Sequence, residues 1–459
     1  MPSVAPHLDI DASDLKHSWH PFTQMKEYAD NPRIHLARGE GCWLIDTSGR
    51  RYLDGNASVW TNVHGHNDSD LNAALKSQLD QVAHVTLLGM NHVVATELAE
   101  DLSTLTGGKL ARCFYTDNGS NAVEVALKLS FQYWQLVGRP AKRGVIAMSG
   151  AYHGDTFGTM SAGDHRGFHQ RFEPWLFSSH KFSAPTHSEC AGRIQQSDAK
   201  VSLRELETLL KAQASETACL IIEPRVQGAA GMMQQPKGFI NAVEKLCRQY
   251  DVHLILDEVF TAFGRLGALT VAEQEGVTPD FLCLAKGLTA GYLPMGATLT
   301  SEKIYQAFEG DFSEGRTFFH GHTFSGNPLG CAVARASLKK LRPMISSGQL
   351  TESAALLGKE IESAFSTHTH VARYRQVGLT GAIDFCPANR ERRWTASLRA
   401  GYKVSLAARR HGLIIRPLGE SILFVPPIAI KPDEIRHLIK AVRLAADEVL
   451  PTLQTDTLS

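Results

Sequence analysis

Lys286 closes the short apolar run Phe281-Leu282-Cys283-Leu284-Ala285, and Asp257-Glu258 closes another, Val252-His253-Leu254-Ile255-Leu256. A lone Lys after a strand-like run is commonly a solvated strand end, and an acidic pair after one is commonly a cap or a surface turn. Together they offer more, because open parallel α/β sheets bind ligands in the crevice outside the carboxyl ends of their strands. Two such ends presenting an amine and a carboxylate to one ligand supply the pair that pyridoxal phosphate (PLP) chemistry needs. The Lys forms a Schiff base, and the acid pairs with the pyridinium nitrogen so that the ring stays an electron sink.

A phosphate site lies upstream. Asp117-Asn118-Gly119-Ser120 is turn chemistry, and Ala122, Val123, Ala126 and Leu129 recur at helical spacing, so a helix begins near Ser120. Its free N–H groups and positive dipole end form an anion site, where Gly119 lets the backbone approach closely and the Ser120 hydroxyl adds a donor. Standing alone, the segment reads better as an ordinary capped helix.

These groups need a sheet to position them. Residues 144–148, 218–222, 253–256 and 281–284 are continuous apolar runs separated by helical segments, the pattern of strands covered on both faces. This predicts an α/β fold with a mostly parallel sheet. Residues 39–54 alternate short apolar stretches around Thr47-Ser48-Gly49 and predict a β-hairpin, while the first dozen residues read as a loose tail. From Cys331 the pattern turns helical (Ala332, Val333, Ala336, Leu338, Leu341) and leads into a smaller α+β domain, with strands at 378–385 and 422–425 and a closing helix over 432–450. The large PLP-binding domain is accordingly expected over 62–330, and part of the small domain over 331–459.

The 459 residues are 43% hydrophobic and 20% charged, a globular composition with enough apolar material for a substantial core. Lys plus Arg and Asp plus Glu each total 47, and no basic stripe suggests nucleic acid or an anionic membrane. The eight cysteines are scattered without a C-x-x-C pair or Cys/His metal spacing, so no metal site is expected and most thiols should be buried and reduced. The N-terminal residues lack a basic region and an apolar core, and no run approaches a membrane span, which predicts a cytoplasmic protein. A dehydrogenase is disfavoured because no Gly-x-Gly-x-x-Gly turn is well placed, and Thr106-Gly107-Gly108-Lys109 lacks the upstream glycines of a P-loop.

Further motifs connect these pieces: Trp19-His20-Pro21-Phe22-Thr23-Gln24-Met25, Tyr152-His153-Gly154-Asp155-Thr156, Glu223-Pro224 with Gln227-Gly228, Gly264-Arg265, His320-Gly321-His322-Thr323-Phe324-Ser325-Gly326-Asn327-Pro328 and Arg416-Pro417. In this order the chain resembles the class III, fold-type I, PLP-dependent aminotransferases over nearly its whole length. Within that class it is most similar to the branch of biotin synthesis that aminates 8-amino-7-oxononanoate, and the Trp19–Met25 run is what points there.

The resemblance implies roles. Residues 1–61 would join the C-terminal part, making the small domain discontinuous. Lys286 would carry the cofactor and then act as the base that moves the substrate proton. Asp257 would hold the pyridine nitrogen protonated, and Tyr152 would stack on the ring and line the substrate pocket. Gly119 and Ser120 would bind cofactor, while His153 and Asp155 would organise the Tyr152 loop and Glu258 would serve structure. His322 and Thr323 would reach the phosphate of a neighbouring subunit's cofactor, which implies a homodimer with shared sites. Phe22, Val59, Trp60, Gly321 and Arg416 would contact substrates, with Arg416 taking the oxononanoate carboxylate. Arg265 is expected in a structural ion pair rather than on substrate.

Two departures bear on the amino donor. Ornithine and 4-aminobutyrate transaminases carry an acid after their Gln-Gly, whereas Gln227-Gly228 here precedes Ala229-Ala230, which disfavours glutamate chemistry. Family members that use S-adenosylmethionine commonly have Tyr after His-Pro and a Trp-Trp pair, where this chain has Phe22 and Val59-Trp60. Those positions and Gly401-Tyr402-Lys403-Val404-Ser405-Leu406 resemble the lysine-using variety. Adenosylmethionine and lysine therefore both stand as donors, and an ω-amino acid or amine:pyruvate transaminase is the alternative reading.

Overall fold

A computed structural model describes residues 9–164 and 167–457. Its centre is a seven-stranded sheet in the spatial order Arg112–Thr116, Gly296–Thr300, Phe281–Leu284, His253–Asp257, Thr217–Ile222, Gly144–Met148, His180–Phe182. Gly296–Thr300 runs antiparallel to both of its neighbours, and the remaining pairings are parallel. The mostly parallel sheet expected from the apolar runs is thus present.

Both faces of that sheet are covered, which is why its strands read as unbroken apolar runs. Side chains alternate between two cores. Ile221, Ile255, Phe281 and Cys283 pack with Ala122, Val123 and Ala126 of the helix Gly119–Leu136. Leu220, Ile222, Leu254, Leu256, Leu282 and Leu284 pack on the other side with Ile240 and Val243 of the helix Phe239–Gln249. The strand Gly296–Thr300 escapes the apolar-run reading because threonines interrupt it. Thr298 and Thr300 are buried, and their hydroxyls donate to Ala122 O at 2.6 Å and Asp280 O at 2.9 Å. A buried polar atom satisfied by backbone leaves no apolar signature in the sequence.

The helix Pro328–Ser346, capped by Asn327 and opened by Pro328, leads from the sheet to the C-terminal part. There Val371–Val377, Thr380–Phe385, Ser421–Phe424 and Pro417–Leu418 form an antiparallel sheet beside the helices Gln349–Phe365 and Pro432–Val449. Near the N-terminus, Leu36–Glu40 adds a third strand to the expected hairpin Trp43–Asp46 and Arg51–Asp54. Leu413–Ile414 pairs in parallel with Leu53–Asp54, so the two ends of the chain share one sheet. The loose tail needs correction at its inner end: Ile10–His17 is helical, because the Asp9 side chain accepts from Ala12 N and caps it. The rest of that tail, residues 1–8, lies outside the described residues. Among the described residues no helix is long and apolar enough to cross a membrane.

Candidate active site

Four neighbouring parallel strands end on one side of the sheet, and each hands a functional side chain to the loop that follows. Gly144–Met148 leads to Tyr152, Thr217–Ile222 to Glu223, His253–Asp257 ends in Asp257, and Phe281–Leu284 leads to Lys286. All four residues line one cavity of about 440 Å³. Gly119 and Ser120, the first residues of the helix Gly119–Leu136, border the same space; Asn118 Oδ1 accepts from Asn121 N at 2.9 Å, which leaves the N–H groups of Gly119 and Ser120 as the first-turn donors beside the cavity.

Lys286 has the left-handed φ of 45° and sets its Nζ 4.7 Å from the Trp60 ring centre and 5.6 Å from that of Phe260. Burial among these rings lowers its pKa, and the negative charges of Asp257 and Glu223 oppose the shift without cancelling it. The result is an amine more readily neutral than a surface Lys. Asp257 Oδ2 lies 2.7 Å from His153 Nδ1, and Oδ1 accepts from Val259 N at 3.1 Å. Glu223 accepts from Tyr152 N at 3.1 Å and Gly228 N at 3.0 Å. Burial, with Asp257 repelling a second negative charge, pushes its carboxyl up to about 8 against those donors.

The Tyr152 loop is held by its own side chains. Tyr152 donates to Asp155 Oδ2 at 2.8 Å, His169 Nε2 lies 2.9 Å from Asp155 Oδ1, and the Tyr152 ring stacks on His169 with centres 5.7 Å apart. Gly154 has no substitute here: its φ is 133°, and a Cβ would stand 2.1 Å from Ser120 Oγ. Asp155 organises this loop as expected, but His153 does not. It turns inward to Asp257, because the buried carboxylate needs a partner at that end.

The Trp60 wall is built on unusual backbone. Ala57, Ser58, Val59 and Trp60 have φ of 44°, 49°, 65° and 71°, one turn of left-handed helix closed by Trp60 N to Asn56 O at 2.8 Å and Thr61 N to Ala57 O at 2.9 Å. For residues with a Cβ this conformation costs roughly 1–2 kcal/mol each.

The structure brings Lys286, Asp257, Tyr152, Gly119, Ser120 and Trp60 together around one cavity and leaves the other expected residues outside its lining. Val59 is half-exposed on the left-handed turn. The Arg416 guanidinium lies 5.9 Å from the Phe22 ring centre, and Phe22 packs edge-on to Phe168, which is 6.5 Å from Tyr152. Gly321, His322 and Thr323 line a separate cavity with Leu87 and Phe114, and His322 Nδ1 touches Asp117 Oδ2 at 3.0 Å from outside the Lys286 pocket. Arg265 corrects an expectation: it makes no ion pair among the described residues but donates to the carbonyls of Leu379 at 3.1 Å and Pro426 at 2.6 Å. Carbonyls converging from two chain segments take up Nη1 of this buried guanidinium where a carboxylate was expected. Glu258 is structural, accepting from Val271 N and Ala272 N at the start of the helix Val271–Glu275.

Sequence reasoning missed the parts of the site that act through others. Glu223 appeared within a motif without a role, although an acid after the buried run 217–222 carries the same signal as Asp257. Phe260 and Phe168 gave none, since each becomes meaningful only by packing on Trp60 or Phe22.

The family model for aminotransferase class III matches residues 24–445. The chain belongs to the class-III aminotransferases. A relative from Geobacter sulfurreducens, named adenosylmethionine-8-amino-7-oxononanoate aminotransferase, is 44% identical over 431 residues, covering 93% of this chain and 94% of its own. The crystal structure of the Methanocaldococcus jannaschii enzyme of that name matches with a TM-score of 0.89 at 36% identity, covering 96% of this chain and 98% of its own. An amine transaminase from an uncultivated Pseudomonas species, solved in a PLP-bound form, matches with a TM-score of 0.86 at 32% identity over 94% of this chain and 99% of its own. Class-III aminotransferases work with PLP, and the pocket of this aminotransferase fits that group. It offers a buried amine, a buried carboxylate and the open start of a helix around one space.

Glu223 makes the cofactor-free protein's stability depend on pH. A carboxyl whose pKa rises on folding contributes fully below its ordinary value, here 4.5, and that contribution is lost as the pH climbs through its folded value of about 8. Glu223→Gln removes the ionisation. The melting temperature of the variant minus that of the wild type should therefore increase from about pH 5 to about pH 9 by calorimetry. A difference that stays flat would mean that Glu223 does not titrate in this window.

Proposed function

We propose that this aminotransferase converts 8-amino-7-oxononanoate to 7,8-diaminononanoate in biotin synthesis, as a homodimer whose subunits help complete each other's sites. The observation that carries the substrate is Arg416. Its side chain is exposed, with the guanidinium 5.9 Å from the Phe22 ring centre near the Tyr152 side of the pocket, and it makes no ion pair among the described residues. An accessible guanidinium with no carboxylate of its own suits a substrate carboxylate taken in bidentate fashion. The names of the Geobacter and Methanocaldococcus relatives support the same substrate.

Bound in the pocket, PLP supplies an electron sink for the carbon that bears the amino group. Lys286 would anchor it through Nζ and, once released by an amine substrate, would carry the proton from that carbon to the cofactor's aldehyde-derived carbon, and in the second half of the cycle would carry it the opposite way, onto the carbon that receives the amino group. Its lowered pKa keeps Nζ able to accept that proton. Asp257 would pair with the pyridine nitrogen, and His153, 2.7 Å from its Oδ2, holds the carboxylate in place. Gly119 and Ser120 would hold the phosphate at the helix start. Trp60 and Phe260 exclude water around Nζ.

Support for the dimer comes from Thr323, which lies on a surface cavity next to the exposed side chains Leu88, Phe319 and Phe324. An apolar patch of this kind is suited to cover by a second copy, which would carry Thr323 and His322 toward the partner's phosphate. Eight free cysteines, six of them buried, suit a reducing compartment such as the cytoplasm.

Three outcomes test this reading. Lys286→Ala should abolish the borohydride-reducible cofactor linkage, which mass spectrometry of the wild-type protein should place on the peptide containing Lys286. Arg416→Ala should raise the oxononanoate KM by the equivalent of about 1.5–3 kcal/mol, the usual worth of a charged hydrogen bond, with a smaller effect on kcat. The donor is decided by mixing the PLP form separately with adenosylmethionine, lysine and glutamate and following loss of its visible absorbance. Adenosylmethionine or lysine should discharge it rapidly. Discharge by glutamate alone would return the protein to the general ω-transaminases.

A further inference from the structure

Asp54, at the end of the strand Arg51–Asp54, is 1% exposed and collects three donors. Oδ1 accepts from Asn56 N at 3.2 Å, and Oδ2 takes the Ser58 hydroxyl at 2.8 Å and His66 Nε2 at 3.1 Å. His66 is itself pinned by two backbone hydrogen bonds with Gly41, at 3.1 and 2.6 Å. One carboxylate thus ties both ends of the loop 55–65, and inside that loop sits the left-handed turn Ala57–Trp60.

Four successive left-handed residues with side chains persist only where the surroundings over-determine them. What this turn delivers is Trp60. The indole Nε1 donates to Asn56 Oδ1 at 3.1 Å, and the ring packs on Phe260 at 4.7 Å and lies 4.7 Å from Lys286 Nζ. Gly228 leaves room for it, since a Cβ there would stand 2.9 Å from Trp60 Cζ3. A return of the turn to right-handed backbone would swing the indole off the amine.

We infer that Asp54 is a positioning residue that holds Ala57–Trp60 left-handed and thereby keeps Trp60 as the shield over the Lys286 amine. The inference deepens the proposed function, resting on it for the importance of Lys286 but not for the shielding itself. Asp54 is not among the residues that line the cavity; it acts through Ser58 and the turn.

The test is reductive methylation of the cofactor-free protein with formaldehyde and cyanoborohydride, following the rate at Lys286 by peptide mass spectrometry together with the melting temperature. Asp54→Ala should lower the melting temperature and speed Lys286 labelling by about fivefold or more, the population shift expected when roughly one residue's strain is released. Val59→Gly should label like wild type, because glycine adopts left-handed backbone freely. Combined with Asp54→Ala it should restore slow labelling, a rescue that a merely structural Asp54 would not show. Lys142 sits at the opposite ends of the strands, 1% exposed, and should label slowly in every variant. Ser58→Ala, which removes only one contact to Asp54, repeats the test more gently should Asp54→Ala not fold. Wild-type labelling in Asp54→Ala, or in Ser58→Ala where that variant stands in, overturns the inference, as does no rescue by Val59→Gly or equal acceleration at Lys142. None of these readouts involves PLP, so a failed functional reading would appear separately, as a missing reducible linkage at Lys286.

Discussion

The register of the central sheet is the constraint on which the site depends. Asp257 stands opposite Cys283, one residue before the end of the strand Phe281–Leu284, and Leu256 stands opposite Ile222, the residue before Glu223. With side chains alternating between two buried cores, a slip of one residue would exchange the Leu256 and Ile255 faces and carry Asp257 to the wrong side. Packing on both faces therefore fixes where the amine and the two carboxylates meet. The chemistry inherits its precision from apolar burial rather than from the polar groups themselves.

Once the groups are gathered, the local dielectric decides their charge. Lys286 has two acids for neighbours, which alone would raise its pKa, yet desolvation prevails and lowers it. The same burial separates the acids. Asp257 has His153 within 2.7 Å, whereas Glu223 has backbone donors only and is pushed up to about 8. Of the two acids in the pocket, only Asp257 is given an ionisable partner at hydrogen-bond distance, and Glu223 is held toward its neutral form. Asp257 is left as the acid able to face a cationic ring.

Aromatic walls and strained backbone complete the site. Lys286 and the turn Ala57–Trp60 both occupy left-handed backbone, and they face each other across the Nζ. Such conformations are unfavourable locally and are sustained by hydrogen bonds and packing around them, as at the Asp54 clip. Strain of this kind trades stability for placement of a side chain that no relaxed turn would aim at the amine.

Much of this was legible in the residues alone. The buried runs 144–148, 218–222, 253–256 and 281–284 announced parallel strands, and Lys286, Asp257 and the Gly119-Ser120 helix start could be picked out because each follows or opens a periodic segment. Those signals are local: side-chain type at a fixed spacing. The threonine-bearing strand Gly296–Thr300 was hidden because its hydroxyls are satisfied by partners from other segments. His153 looked like a loop residue until folding laid it on Asp257, 104 positions away. The ion pair expected for Arg265 gave way to two carbonyls from distant loops, and the role of Asp54 arises from Ser58 and His66 converging on it. Sequence determined which groups sit at strand ends and helix starts, since that follows from local periodicity. Partnership and charge state were decided only by the tertiary fold, because both depend on what is brought within hydrogen-bonding distance and on how completely water is removed.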